Sequence, residues 1–396
     1  MKTLHRDFLT YQAKTTPYPL GIEIDHAKGS YVYDSSGKSY LDFVAGVSAC
    51  SLGHCHPNVV EAIKNQSERY LHVMVYGEFA QEPAVNLAKE LAQELPESLG
   101  VTYLVNSGTE AIEGALKLAK RVTGRGELIS ANKAYHGSTH GALSLLGAEE
   151  QKKAYRPLLP GVSFIEFNDE KDLKKITSKT AAVLLETIQG GAGFILPENN
   201  YLRQVKKRCE EVGALLILDE IQPGFGRTGS LFGFQQFDVV PDILVMGKGM
   251  GGGLPIGAFS SSSDKMMQLT ENPKLGHITT FGGNPLVAAS ALATLRTLKS
   301  EKLIEQVKEK ENLFRSLLKH PAIKQINGTG LMLAPLFENE EIANKVVLGC
   351  MEKGLILFWL LWEKKAVRIS PPLTISEEEI KKGCAIIIEV LEGINS

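Results

Sequence analysis

The chain has no surplus of charge: 43 basic and 45 acidic residues among 396 leave a net charge of −2. That removes the electrostatic footprint of a nucleic-acid binder or an anionic-membrane binder. No apolar run reaches transmembrane length, and the start, Met1 to Asp7, lacks the apolar core of a signal peptide. Cysteine is scarce, odd in number and scattered at positions 50, 55, 209, 350 and 384. This argues against a disulfide framework and for reduced thiols in a cytoplasm. The stretch Gly53-His54-Cys55-His56-Pro57 offers metal-ligating residue types, but no second ligand pair follows it, so no metal is expected. There is no G-x-x-x-x-G-K-[ST] string. Two G-x-G-x-x-G matches, Gly224 to Gly229 and Gly247 to Gly252, open no amphipathic helix, so a dinucleotide-binding reading fails its own context. Linkers, internal repeats and low-complexity tracts are also missing. What is left is ordinary globular composition, 43% hydrophobic and 22% charged, in a chain long enough for a large domain and a smaller one.

Two short apolar runs organise the chain. Ala214-Leu215-Leu216-Ile217-Leu218 ends in Asp219-Glu220-Ile221-Gln222, and Ile243-Leu244-Val245-Met246 ends in Gly247-Lys248-Gly249. Continuous apolar runs bounded by Gly or Pro read as buried strands of a parallel sheet. Ligands of such sheets bind outside the carboxyl ends of the strands. One strand therefore delivers a carboxylate there and the other an amine. An acid for a basic ring atom and an amine for an aldehyde together suit pyridoxal phosphate. Taken singly, each is more often a plain cap or a solvated lysine.

In chain order, Ile22–Ile24 and Tyr31–Tyr33 read as a small hairpin. Val101–Val105 reads as the first core strand. It runs through Asn106-Ser107-Gly108-Thr109 into a helix with Ile112, Ala115, Leu116, Ala119 and Val122 on one face, closed by Gly124. A strand turning through Ser-Gly-Thr into a helix start is an anion site in waiting, or simply an N-cap. Leu128–Ser130, Val162–Phe167 and Ala181–Glu186 are further strands, the last again ending in an acid. Repetition of this β–loop–α–β unit predicts an α/β fold: a mostly parallel sheet with helices on both faces. A helix continues beyond Leu286, a long charged helix is expected over Glu301–His320, and strand-like pieces at 330–337, 356–362 and 367–369 alternate with helices. The last helix opens on a capping box, Ser376 to Glu379. The tail reads as a small α+β domain, so residues 46–295 are assigned to a large domain, with 1–45 and 296–396 forming the small one.

From about Gly21 to Leu391 these motifs resemble the class III aminotransferases, pyridoxal-phosphate enzymes of fold type I. The string Leu218-Asp219-Glu220-Ile221-Gln222, then Gly226-Arg227-Thr228-Gly229, then Gly247-Lys248 carries the resemblance, which is nearest to the acetylornithine and ornithine enzymes. The resemblance implies that Lys248 holds the cofactor covalently and later moves a proton as a free amine. It implies that Asp219 pairs with the ring nitrogen and Gln222 with the ring hydroxyl. Ser107, Gly108 and Thr109 match the phosphate turn, Tyr135 matches the residue stacked on the ring, and Glu186 joins the cofactor-binding set. Thr280 matches a residue that reaches the phosphate of a neighbouring subunit, which implies a homodimer with shared sites. Arg368 matches the arginine that grips a substrate carboxylate.

Two positions depart from those relatives. An arginine that binds substrate carboxylate is replaced by Ser138, and a glutamate that can switch off the other arginine is replaced by Gly191. The expected donor is thus an α-amino acid gripped by Arg368, ahead of N-acetylornithine or 4-aminobutyrate, with amino and oxo acids as the partners of the reaction. A decarboxylase or aminomutase on the same scaffold is the alternative enzyme. A ligand-sensing domain would need a DNA-binding appendage, for which the reading leaves no room.

Overall fold

The computed structural model describes residues 3–394. Its central sheet has seven strands: β1 (Val101–Val105), β2 (Glu127–Ala131), β3 (Val162–Ile165), β4 (Thr180–Glu186), β5 (Leu215–Asp219), β6 (Ile243–Gly247) and β7 (Gly257–Ser261). Across the sheet the order is β1-β7-β6-β5-β4-β2-β3. Strands β6, β5, β4, β2 and β3 run parallel, and β7 is antiparallel to both β6 and β1. Every residue of β4, β5 and β6 is buried, as continuous apolar runs in a sheet covered on both faces must be. Burying a Leu or Ile side chain of this kind stabilises the fold by about 1.5–3 kcal/mol.

Register decides what the sheet presents. Glu186 stands beside Asp219, and Asp219 beside Val245, two residues before Gly247. The carboxyl ends of β4, β5 and β6 are therefore level, and they deliver two acids and then Lys248 to one crevice.

The termini meet on a second sheet. Ile24–Lys28, Tyr31–Asp34 and Ser39–Asp42 form an antiparallel meander, and Leu355–Ile356 joins its far side parallel to Ser39–Asp42. Phe43 packs edge-on to Phe314 at 5.2 Å. Positions 1, 2, 395 and 396 of the small-domain range lie outside the described residues. No described helix is long and apolar enough to cross a membrane.

Five details differ from the sequence reading. Strand β1 lies at the sheet edge, because β7 inserts between it and β6; Gly257-Ala258-Phe259-Ser260-Ser261 carries too little apolar pattern to read as a strand. The first hairpin strand is Ile24–Lys28, displaced from 22–24. The charged helix spans Val307–Leu317 only. Lys302 takes φ +51°, outside helical geometry, and Pro321 disfavours helix at His320. The piece expected at 356–362 is not one strand: Leu355–Ile356 and Phe358–Trp359 belong to different sheets, and Leu360–Trp362 leave the strand altogether. A strand at Gln325–Thr329, hairpinned with Met332–Leu336, was not expected. The capping box is present: Ser376 N donates to Glu379 at 2.8 Å, and Glu379 N to Ser376 Oγ at 3.2 Å.

Candidate active site

A cavity of about 510 Å³ opens at the level ends of β4, β5 and β6. Gly108, Thr109, Tyr135, Glu186, Asp219, Gln222, Lys248 and Arg368 line it, so the fold brings together eight of the expected residues. Ser107 stands just behind. It caps the helix Gly108–Thr123 by accepting from Glu110 N at 3.3 Å. Thr280 is exposed and outside the lining, on a loop tied to the same corner through Asn106 Nδ2 and Thr279 Oγ1 at 2.9 Å.

Lys248 leaves β6 with φ +44°, a left-handed conformation that a lysine adopts at a cost of about 1–3 kcal/mol. Desolvation is the main reason its amine falls to about 8, with the Arg368 charge pushing the same way; Asp219 and Glu186 oppose it. A neutral amine is therefore accessible near physiological pH.

Asp219 is 3% exposed. Its Oδ2 lies 2.8 Å from His136 Nδ1, and its Oδ1 accepts from Ile221 N at 2.9 Å. His136, itself buried, reaches Ser130 Oγ with its other nitrogen at 3.3 Å. The carboxylate is thus aimed by two partners and loses little freedom when it meets a third. Glu186 accepts from Gly190 N at 3.0 Å and Tyr135 N at 3.2 Å, fixing the loop that carries the aromatic ring. Burial pushes its carboxyl up to about 7. Glu113, on the helix after Ser107, holds the far side of that loop through Gly141 N at 2.8 Å.

A left-handed turn supplies the floor. Ala45, Gly46, Val47 and Ser48 all have φ between +49° and +66°. The turn puts Val47 into the cavity and Ser48 Oγ 3.4 Å from Gln222 Nε2. His136, Glu113 and Val47 escaped the sequence reading. Only His136 had a signal, its place beside Tyr135.

Arg368 is 5% exposed, and its Nε and Nη1 find no partner in the fold. Desolvation lowers its guanidinium to about 10, with Glu186 pulling the other way. Among the described residues no ion pair within 4.0 Å reaches it. Elsewhere the histidines of the Gly53–Pro57 stretch serve the fold: His54 Nε2 lies 2.9 Å from Asp42 Oδ2, and His56 lies 3.4 Å from Glu301.

These groups fit pyridoxal phosphate. A desolvated amine faces the cavity, an aimed buried acid stands on the next strand, and a helix N-terminus begins at Gly108. There a Cβ would stand 2.7 Å from Ile221 Cδ1, so the backbone stays bare, and the Gly108 and Thr109 N–H groups, which precede the capped Glu110 N, face outward from the helix start. When bound, the cofactor supplies an aldehyde carbon and a ring that takes up the electron pair released at the substrate α-carbon.

The family model described as Aminotransferase class-III matches residues 11–391. The chain is 39% identical over 389 residues to the acetylornithine aminotransferase of Caldanaerobacter subterraneus subsp. tengcongensis, covering 95% of this chain and 96% of that protein. With the acetylornithine aminotransferase of Aquifex aeolicus the identity is 36% over 380 residues, covering 94% and 97%. The crystal structure of the ornithine aminotransferase from Toxoplasma gondii ME49 superposes with a TM-score of 0.92 at 32% identity, covering 100% of this chain and 96% of that one. Such relatives favour amino-group transfer between amino and oxo acids over the decarboxylase and aminomutase alternatives. With the fold, the cavity and these likenesses together, the chain belongs to the class III aminotransferases, pyridoxal-phosphate-dependent enzymes of fold type I.

Proposed function

We propose that the amino donor is an α-amino acid held through its α-carboxylate by Arg368. One observation carries this reading: a buried guanidinium with two unpaired nitrogens faces the cavity that holds Lys248. An unpaired buried cation is costly, and a carboxylate beside the reacting amine removes that cost. Apart from Lys248, Arg368 and His136, the lining holds no side chain able to carry positive charge, and Val47, Phe358, Trp359 and Leu361 make its far side apolar. A distal carboxylate therefore finds no second charged clamp from this subunit, in keeping with Ser138 on the loop after Tyr135.

In this reading Lys248 anchors the cofactor and then carries the proton between two carbons. Asp219, aimed by His136, holds the ring nitrogen protonated. Gln222 bonds the ring hydroxyl, and Tyr135 covers the ring face on a loop fixed by Glu186. Ser107, Gly108 and Thr109 hold the phosphate. Thr280 completes that phosphate site in a second copy of the chain. An exposed apolar patch supports such a homodimer: Leu71, Phe79, Met267, Leu275, Ile278 and Phe281 are all 47–60% exposed, and a patch of this kind marks an interface. Residues 46–295 form the cofactor-binding domain, the rest the small one, and the free, scattered thiols suit a cytoplasmic location.

The deciding measurement is kcat/KM for alanine, glutamate, ornithine, N-acetylornithine and 4-aminobutyrate. The α-amino acids alanine or glutamate are expected to lead. A tenfold or greater lead for N-acetylornithine would overturn the assignment.

A further inference from the structure

After Trp359 the chain leaves its strand and turns back, so that Trp362 N donates to Gly191 O at 2.9 Å. The indole then lies against Gly191. A Cβ added there would stand 2.9 Å from Trp362 Nε1, 3.0 Å from Trp362 Cδ1 and 3.4 Å from Leu361 Cβ. Gly191 is not among the glycines with positive φ, so its backbone does not demand glycine. The indole does. Its N–H is buried and unpaired, so packing rather than a hydrogen bond holds it in place.

This matters because Gly191 and Arg368 line the same cavity, and Phe358, three residues before Leu361, pairs with Arg368 across a two-stranded sheet. Of the glycines in the lining, Gly108 and Gly137 lie at the Thr109 end, where an added Cβ on Gly137 would collide with Thr109. Gly191 is the one beside Leu361 and Trp362, in the segment between Phe358 and Arg368. Glu186, the acid that acts on Arg368, already spends its oxygens on Gly190 N and Tyr135 N.

We infer that Trp362, together with Gly191, is specificity-determining: the indole fills the space a side chain at position 191 would need, so this loop places no acid beside Arg368. This rests on the reading that Arg368 grips the substrate carboxylate. Its consequence is that, with the Glu186 oxygens committed to Gly190 N and Tyr135 N, the guanidinium finds its direct ion-pair partner in the substrate, in both halves of the reaction. One amino group leaves an α-carbon and an oxo oxygen takes its place; in the second half the exchange runs in reverse on another 2-oxo acid, with no outside oxidant. Both reactant pairs pass through one cavity, so both must carry a carboxylate next to the reacting carbon. A substrate whose amine lies far from its carboxylate leaves a buried cation unpaired.

The test uses the cofactor-loaded enzyme and three variants: Gly191→Glu, Gly191→Glu with Trp362→Ala, and Trp362→Phe. Two quantities are read: the ratio of kcat/KM for alanine over 4-aminobutyrate, and the Kd of propionate, which has no amine to react, from the cofactor absorbance. The double variant places an acid where the indole stood. Propionate binding is expected to weaken by about tenfold or more, the alanine loss to fall mainly in KM, and the ratio to shrink by about tenfold. Gly191→Glu alone, with the indole in place, is expected to keep the parental ratio or to lose folded yield. Trp362→Phe keeps the bulk and is expected to keep both the ratio and the propionate Kd within about threefold. An unchanged ratio and Kd in the double variant overturn the inference, as does a Gly191→Glu or Trp362→Phe enzyme that behaves like the double variant. If Gly191→Glu does not fold, the double variant and Trp362→Phe still decide. Arg368→Leu separates the two levels. If it leaves propionate Kd and alanine KM unaltered, the carboxylate grip itself has failed; if it weakens both while the double variant does nothing, only the role of Trp362 has failed.

Discussion

Asp219→Asn isolates the charge proposed to set the protonation of the cofactor ring. The carboxylate is 3% exposed and held by His136 at 2.8 Å and Ile221 N at 2.9 Å. A buried opposite charge shifts a partner by about one to three pKa units. Each unit is about 1.4 kcal/mol, so removing the charge is expected to lower kcat by about ten- to a thousandfold. The amide keeps the shape but has one acceptor oxygen where the carboxylate uses two. The amide oxygen keeps the Ile221 N contact, and the His136 contact survives only with a change of tautomer, so at most one contact is lost, at about 1–3 kcal/mol of stability, which leaves a folded chain to measure. The neighbours supply a second readout. Glu186 and Glu220 are each pushed up to about 7, chiefly by burial and in lesser part by Asp219. A carboxyl whose folded pKa is raised contributes stability that is present below its ordinary value of 4.5 and lost as pH rises through about 7. Without the Asp219 charge both folded values drop, so the apoprotein's loss of stability between those pH values becomes shallower. Urea unfolding of the apoprotein across that range, beside kcat for a good donor, gives both numbers. A variant within about threefold of the parent kcat, with an unchanged stability profile, refutes the reasoning.

Lys248→Ala is expected to abolish turnover and the covalent link; borohydride reduction and peptide mapping check it, and a label on any other lysine refutes the assignment. Because burial brings the Lys248 amine down to about 8, the proton transfer proposed for it is expected to gain rate as pH rises through about 8 and to level off above; a flat profile across that range refutes it. The same depression costs the apoprotein stability as pH falls from the ordinary 10.5 through about 8, so Lys248→Met is expected to stabilise the apoprotein at pH 7 and to do little above pH 10.5, by urea unfolding at the two pH values. Phe281→Glu, in the exposed apolar patch, is expected to give a monomer by sedimentation with most activity lost; a fully active monomer refutes the shared site.

What the sequence disclosed followed distance along the chain. Strand ends are local: an apolar run closing on Asp219, Glu186 or Gly247-Lys248 announces both the strand and the group it delivers, and sheet register then levels those ends without further instruction. Helix starts are local too, which is why Ser107 and the Ser376–Glu379 box were legible. Orientation was not. The bond that aims Asp219 comes from His136, 83 residues away, and no periodicity encodes it. Strand β7 stayed hidden for a different reason: Gly257-Ala258-Phe259-Ser260-Ser261 is small because the sheet is crowded there, where a Cβ on Gly257 would collide with Ser107 O, and crowding erases the apolar pattern that marks strands. Gly191 shows the two effects joined. From sequence it is only a missing acid. In the fold it is a position closed by Trp362, a residue 171 places later that reads as one more apolar side chain in a strand the protein does not form. In the inference drawn above, the substrate preference turns on a contact between two loops. Swapping residue 191 alone serves as the control, because on this inference the space must be opened at 362 before a longer side chain at 191 has room beside the cavity.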